Sequence, residues 1–194
     1  VNAKLIKSIS LQGRHQEARL LGERSMRTAS GPYGRQSISA EYANACLRAG
    51  DTDAAEKARN YTLPVMPNFE YGTIDGRSGS IEKLRGKIVV IDFWFIGCHG
   101  CALEHKSLND FGLLYKGDER VVFLSVALND KTTLENYLSR SPLAADVIYN
   151  ARDICEKAGV TAFPTHVILD QNGKTLLWEA GGSVDAGERL AKAV

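Results

Sequence analysis

Cysteine is scarce in this chain. Four cysteines in 194 residues are too few to staple a coreless fold, so ordinary burial must hold the protein together. Its 44% hydrophobic and 24% charged residues suit that task and describe a globular chain. An excess of either charge is also missing. Twenty-four basic side chains face 23 acidic ones, for a formal net charge of +1. That balance offers no argument for a nucleic-acid or anionic membrane surface as partner, and none is expected. No apolar run approaches the ~20 residues of a membrane span, so no transmembrane segment is expected. No signal peptide is visible, but the sequence opens at Val1 without a methionine. A processed or trimmed chain is the expectation, and its first residues then say little about compartment. The length admits one domain with an appendage, or two small domains.

What is present is concentrated in one stretch. Ile88–Phe111 reads IVVIDFWFIGCHGCALEHKSLNDF. Its apolar run, Ile88–Ile96, is interrupted only by Asp92, and run length, β-branching and flanking glycines predict a buried strand. Gly97 and Cys98-His99-Gly100-Cys101 follow, then a helix with Ala102, Leu103, Leu108 and Phe111 expected on its inner side. Cysteines at this spacing lie one turn apart on one helix face. They can close a small disulfide, and one can attack a mixed disulfide formed by the other. The first cysteine falls where unpaired N–H groups and the macrodipole favour an anion. Such a position lowers a thiol from about 8.5 and makes it a nucleophile at neutral pH. Cys98 is therefore the expected attacking thiol and Cys101 the resolving one. A half zinc site completed by His99, His105 or a distant cysteine would use the same spacing. Zinc sites of that kind usually show a second paired cluster, which this sequence lacks, so neither metal nor cofactor is expected.

Residues 1–61 read as helical, a small all-α extension. Leu5, Ile6 and Ile9 mark a first helix ending near Gly13. Residues 14–29 form a second, with Ala18, Leu21 and Met26 inward. Ser30-Gly31-Pro32-Tyr33-Gly34 reads as a breaker cluster, residues 36–49 as a third helix closed by Gly50, and Asp51 or Thr52 caps a fourth through about Asn60. Gly13-x-x-x-Glu17-Ala18 is echoed by Gly50-x-x-x-Ala54-Ala55, an offset of 37 residues, close to a helix-hairpin repeat. The extension therefore looks like a degenerate tetratricopeptide-like pair, either a partner-binding module or a packing extension. Cys46, among alanines and Leu47, reads as a small buried hydrophobe. Residues 62–67, with Pro64 and Pro67, form the expected linker.

The domain 68–194 alternates strands and helices. Asn68–Thr73 is a candidate strand with Asp75-Gly76 as turn signal, and Ser80–Leu84 a short helical turn. Val121–Leu128 is a central strand, Thr132–Arg140 a helix, Ala145–Tyr149 a short strand and Ala151–Ala158 a helix. Cys155 lies in that last helix and reads as a second buried thiol, with a Cys46–Cys155 disulfide as the alternative. Asn172-Gly173 joins strands His166–Asp170 and Lys174–Glu179 as a hairpin, and Val184–Val194 closes the chain as a helix. This order predicts an α/β fold, a mixed central sheet flanked by helices.

Asp92-Phe93-Trp94 ahead of Cys98, the CxxC helix, the approach P-x-F … S-I-x-x-L-x-G-K, and Phe163-Pro164-Thr165 before a strand together resemble thioredoxin-like proteins. More narrowly they resemble the bacterial TlpA/ResA-type thiol–disulfide oxidoreductases. Two departures lie between and beside the cysteines: Gly97 where the family usually has Trp, and Gly100 where it usually has Pro. The resemblance implies a cis Phe163–Pro164 bond facing the cysteines, with backbone left open for a substrate chain to pair as an added strand. Trp94, His99, Gly100, Phe163, Pro164 and Thr165 then form the substrate-binding surface. It also implies that Asp92, a costly charge in a buried strand, relays protons to Cys101, and that Glu104 matches a second acid of the ResA type. A solvated surface glutamate is the alternative for Glu104. His99, as imidazolium, would stabilise the Cys98 thiolate and make the protein more oxidising, unless it points to solvent. His105 and His166 carry little information.

The implied activity is dithiol–disulfide exchange with protein cysteines by a periplasmic or envelope-anchored reductant that draws electrons from a membrane reductase. A peroxiredoxin would need Pro and Thr or Ser shortly ahead of the reactive cysteine, where this chain has Trp94, Phe95 and Ile96. A non-catalytic binding protein, with the helical extension as its working end, is the alternative from another class.

Overall fold

The computed structural model describes residues 2–28, 31–59 and 65–194, without the side chains of 31–34, 36–37 and 59. Ser30, Asn60 and the first part of the expected linker lie outside the described residues. The chain divides into two compact units, Val1–Leu63 and Pro64–Val194.

The first unit is all helix: α1 (Asn2–Leu11), α2 (His15–Thr28), α3 (Gly31–Arg48) and α4 (Thr52–Arg59). Its core joins Ile6 and Ile9 of α1, Ala18 of α2, and Ile38 and Ala45 of α3, with Leu21, Met26 and Tyr42 packed against them. Gly13 and Gly50, the glycines of the sequence echo, both have positive φ (79° and 81°). Each ends a helix in the left-handed conformation that glycine adopts without penalty. Asp51 caps α4 by accepting the Ala54 N–H at 3.0 Å. Helix α2 ends at Thr28 and α3 begins at Gly31, not at residue 36, so Gly31–Gly34 of the expected breaker cluster lie in the first turn of α3. Proline in a first helical turn gives up only an N–H that would lack an intrahelical partner.

The second unit opens with a hairpin, β1 (Glu70–Gly72) and β2 (Ser78–Ser80); the second of these strands was not foreseen. A 3-10 turn (Glu82–Leu84) leads into β3 (Ile88–Trp94). Then follow α5 (His99–Leu114), β4 (Val121–Ala127), α6 (Lys131–Leu138), β5 (Asp146–Ile148), α7 (Arg152–Ala158), β6 (Thr165–Leu169), β7 (Thr175–Ala180) and α8 (Ala186–Ala191). The five-stranded sheet has the order β5-β4-β3-β6-β7. β3, β4 and β5 run parallel, while β6 lies antiparallel to β3 and β7 to β6. This is the expected mixed sheet flanked by helices.

β3 is the central strand. Val89 to Trp94 are all buried, as a strand covered on both faces requires. Because side chains alternate, Val90, Asp92 and Trp94 share one face. On that face Val90 and Ile168 pack with Leu108 and Phe111 of α5 and with Ala186 and Leu190 of α8. One correction concerns the phase of α5. Ala102 and Leu103 are exposed, and the buried stripe is Cys101, Glu104, Leu108, Phe111 and Gly112. Helical spacing puts Glu104, not Leu103, one turn below Cys101.

Candidate active site

β3 delivers the chain to the site. After Trp94 the backbone leaves the sheet, turns through Gly97 at φ 100°, and enters α5 with Cys98 as its N-cap. Cys98 Sγ accepts the backbone N–H of Cys101 at 3.2 Å, as an N-cap acceptor does. Cys98 and Cys101 are joined as a disulfide with Cα atoms 5.3 Å apart. The pair sits just under the surface, Cys98 being 8% exposed. An anion formed there on Cys98 would face the free N–H groups of a 16-residue helix.

The surroundings are apolar. Ala127, Leu134 and Val147 pack with Trp94 and the two cysteines, and half-buried Phe95, Ile96 and Phe163 close around them. Phe163 meets Phe95 edge-on, with ring centroids 5.4 Å apart. The Phe163–Pro164 peptide is cis. Trp94 is buried, and its indole N–H donates to Ser125 Oγ at 2.6 Å, so it forms the floor of the site and does not face a partner. His99 projects into solvent. Thr165 is buried and donates its hydroxyl hydrogen to the Ala162 carbonyl at 2.8 Å, which holds the bend before β6. Of the residues expected to contact substrate, Phe163 and Gly100 remain partly accessible, while Pro164 is buried.

Gly100 has a direct neighbour in the β7–α8 loop. A Cβ on Gly182 would lie 2.6 Å from the Gly100 carbonyl carbon, so only glycine fits there without backbone movement. A Cβ on Gly100 would lie 3.1 Å from Pro164 Cδ and 3.5 Å from the Gly182 nitrogen. The same loop donates the Gly181 N–H to the Pro164 carbonyl at 2.9 Å. It thus ties the proline turn to the first turn of α5.

Below the cysteines lies a polar cluster sealed from solvent. Antiparallel register sets Asp92 of β3 opposite His166 of β6, and Glu104 reaches them from α5. Asp92 is 2% exposed, Glu104 and His166 0%. His166 Nε2 lies 2.9 Å from Glu104 Oε1 and 3.6 Å from Asp92 Oδ1. The Ser183 N–H donates to Glu104 Oε2 at 3.2 Å. Burial pushes Asp92 up to about 7; the nearby Glu104 carboxylate adds to that rise and His166 opposes it. Burial pushes His166 down, but its hydrogen bond to Glu104 and the charges of Asp92 and Glu104 more than reverse it, so its pKa is raised above 6.5. The three groups offer ligand atoms within 4.8 Å of one another.

Glu104 is therefore a buried member of the site and not a surface glutamate. His166 is the residue that sequence reasoning missed. Its signal was weak: a histidine two residues beyond Pro164 meets Asp92 only through the β3–β6 register. Cys46 and Cys155 are buried free thiols, not a disulfide.

Residues 86–175 match a family model described as thioredoxin-like. The thiol-disulfide oxidoreductase ResA of Bacillus thuringiensis (strain Al Hakam) is 26% identical over 127 residues, covering 63% of this chain and 71% of its own length. The crystal structure of StoA from Bacillus subtilis superposes with a TM-score of 0.58 at 20% identity, over 67% of this chain and 98% of that one. A secreted Mycobacterium tuberculosis disulfide oxidoreductase homologous to E. coli DsbE superposes with a TM-score of 0.55 at 23% identity, over 64% and 95%. In the described residues, no helix is long and apolar enough to cross a membrane. The matched segment contains the cysteine pair, its helix and the proline turn: the chain carries a thioredoxin-like domain with a CxxC disulfide and is similar to the thiol–disulfide oxidoreductases of the ResA type.

Proposed function

We propose that the protein is a reductant of specific protein disulfides outside the cytoplasm, with Cys98 and Cys101 as the reacting pair. The observation that carries this reading is the closed Cys98–Cys101 disulfide at the N-terminus of α5 above a buried acid. In the reduced state, the Cys98 thiolate attacks one sulfur of the target disulfide. A mixed disulfide forms, and the other target sulfur leaves as a thiolate. Cys101 then gives up its proton to the buried acid cluster and attacks Cys98 Sγ. The Cys98–Cys101 bond closes, and the target leaves with both electrons and, after proton uptake, both thiols. Phe163, Pro164 and Gly100 flank the bond that a target chain must approach. A membrane reductase would return the electrons. Likeness to ResA and to a secreted oxidoreductase supports a periplasmic or envelope-anchored location.

The test is cysteine replacement. Cys98→Ser should abolish exchange with a protein disulfide, and Cys101→Ser should accumulate a mixed disulfide through Cys98. Full dithiol exchange by Cys98→Ser would refute the proposal. A reduction potential near about −270 mV or lower fits a reductant, whereas about −120 to −180 mV fits an oxidant or isomerase.

A further inference from the structure

The site has one acid more than the resolving step needs. That step passes a single proton from Cys101 to the buried side of the pair, yet both Asp92 and Glu104 are sealed there. Their hydrogen bonds differ. Glu104 is engaged at both oxygens, Oε1 by His166 Nε2 and Oε2 by the Ser183 N–H. Acceptance on both oxygens is the pattern of an ionised carboxylate, since a carboxylic acid must donate from one. Asp92 Oδ1 has no hydrogen-bond partner, and at 3.6 Å His166 Nε2 is too far to supply one. A buried oxygen without a donor is costly when charged, and uptake of a proton relieves that cost.

We propose that His166 is a positioning residue of the redox site: as an imidazolium it takes Glu104 as its fixed counter-ion, and so leaves Asp92 as the acid that exchanges a proton with Cys101. This rests on the thiol–disulfide reading above and divides labour between the two acids. The resting cluster is then neutral overall, with His166 positive, Glu104 negative and Asp92 protonated. As Cys101 is deprotonated to attack Cys98, Asp92 must first be ionised to accept its proton. The fixed His166 charge 3.6 Å away lowers the cost of that ionised state.

The other groups around His166 do not supply its counter-ion. Asp92 faces it from β3 and Glu104 from α5. On β7, Glu179 lies opposite His166 in register but is held by Arg189 of α8 at 2.9 Å, and Arg189 is also 3.6 Å from Asp185. The Arg189 charge opposes protonation of His166 and is offset by these two carboxylates. Beyond β3, Ser125 of β4 lies beside Asp92 in register and is uncharged and engaged with Trp94.

The experiment is an NMR titration of the histidine rings in the oxidised full chain, in the wild type, E104Q and D92N, with His166 assigned in the wild type through its backbone resonances. In the wild type, His166 should remain protonated through neutral pH. E104Q should lower the pH of its titration by at least one unit, a tenfold change in proton affinity, and D92N should move it less. A neutral His166 in the wild type at neutral pH would overturn the proposal, as would D92N matching E104Q; the first needs no variant to fold. Stoichiometric Zn²⁺ binding lost in H166Q would make the cluster a metal site and also overturn it. In exchange with dithiothreitol, H166Q should shift the pH profile upward while its melting curve stays two-state. An unmoved profile in a folded H166Q would refute the link to Cys101. If wild-type exchange itself were absent, the thiol–disulfide reading would fall while the titration would still report the ion pair.

Discussion

Replacing Asp92 by Asn gives a pH-dependent change in stability whose size follows from burial. The side chain is 2% exposed, and its pKa in the folded protein is pushed up to about 7, first by burial and then by Glu104, against His166. In the unfolded chain an aspartate titrates near ~3.9. The folded state therefore binds a proton more tightly than the unfolded one. With a raised carboxyl pKa, the unfolded chain ionises first as pH rises, and stability falls between about pH 4 and pH 7. At 1.36 kcal/mol per unit, the cost to the wild type is about 1.5 kcal/mol near pH 5 and about 4 kcal/mol near pH 8. Asn escapes it at both. Its amide introduces a penalty of its own, about 1–3 kcal/mol for an unpaired buried donor, but that penalty does not change with pH. The firm quantity is the difference: the stability of D92N relative to wild type should improve by about 2.5 kcal/mol between pH 5 and pH 8. Urea denaturation of the oxidised protein followed by tryptophan fluorescence measures it. Both tryptophans, Trp94 and Trp178, are buried in the second unit, so the signal reports that unit alone. A relative stability equal at both pH values would show that Asp92 is not a protonated buried acid.

Other outcomes follow from geometry. Gly182→Ala places a methyl against the Gly100 backbone and should cost about 2 kcal/mol or more by the overpacking mechanism; an unchanged melting temperature would contradict the close approach. Trp94→Phe removes the indole N–H and leaves Ser125 Oγ buried without that donor, a loss of about 1–3 kcal/mol measurable in the same urea experiment. Burial holds the Cys155 thiol up at about 12 and raises Cys46 as well. Ellman's reagent should therefore find no fast thiol in the native oxidised protein and two after denaturation; rapid labelling of either in the native state would refute their burial. Removing residues 1–61 should leave exchange with a small-molecule disulfide intact. Loss of a protein partner in the same variant would identify the helical unit as the source of specificity.

Much of this was legible from residue order. A β-branched run, a turn glycine and cysteines at helical spacing specify a strand–helix junction through local rules alone, and β3 and α5 lie where those rules put them. The phase of α5 was misread because inward positions were chosen by apolarity, and the inner face includes a charged residue, Glu104. Exposed Leu103 is the counterpart of that error. His166 escaped for a different reason. Its meaning comes from pairing between strands 74 residues apart, Asp92 to His166, and no local pattern reports a register. Trp94 was placed among the substrate contacts because its motif sits beside the cysteines, yet strand alternation turns it inward onto Ser125. The start of α3 at Gly31 shows the same ambiguity from the other side, since proline ends a helix in its interior and is tolerated in its first turn.

The seat of Gly182 against Gly100 has a consequence for how such a chain can change. The residue just before the second cysteine is a favoured place to retune a thiol pair, and a mutational library would vary it first. Here that position is not an independent variable. Any side chain at 100 must be accommodated by Pro164 or by the backbone of the 181–183 loop, and any side chain at 182 presses back on the dipeptide between the cysteines. The two glycines form one unit of inheritance, written in separate parts of the chain. Relatives with a proline at the first position should carry a displaced or longer loop at the second, and a graft that moves only the dipeptide between such proteins should fail until its loop moves with it.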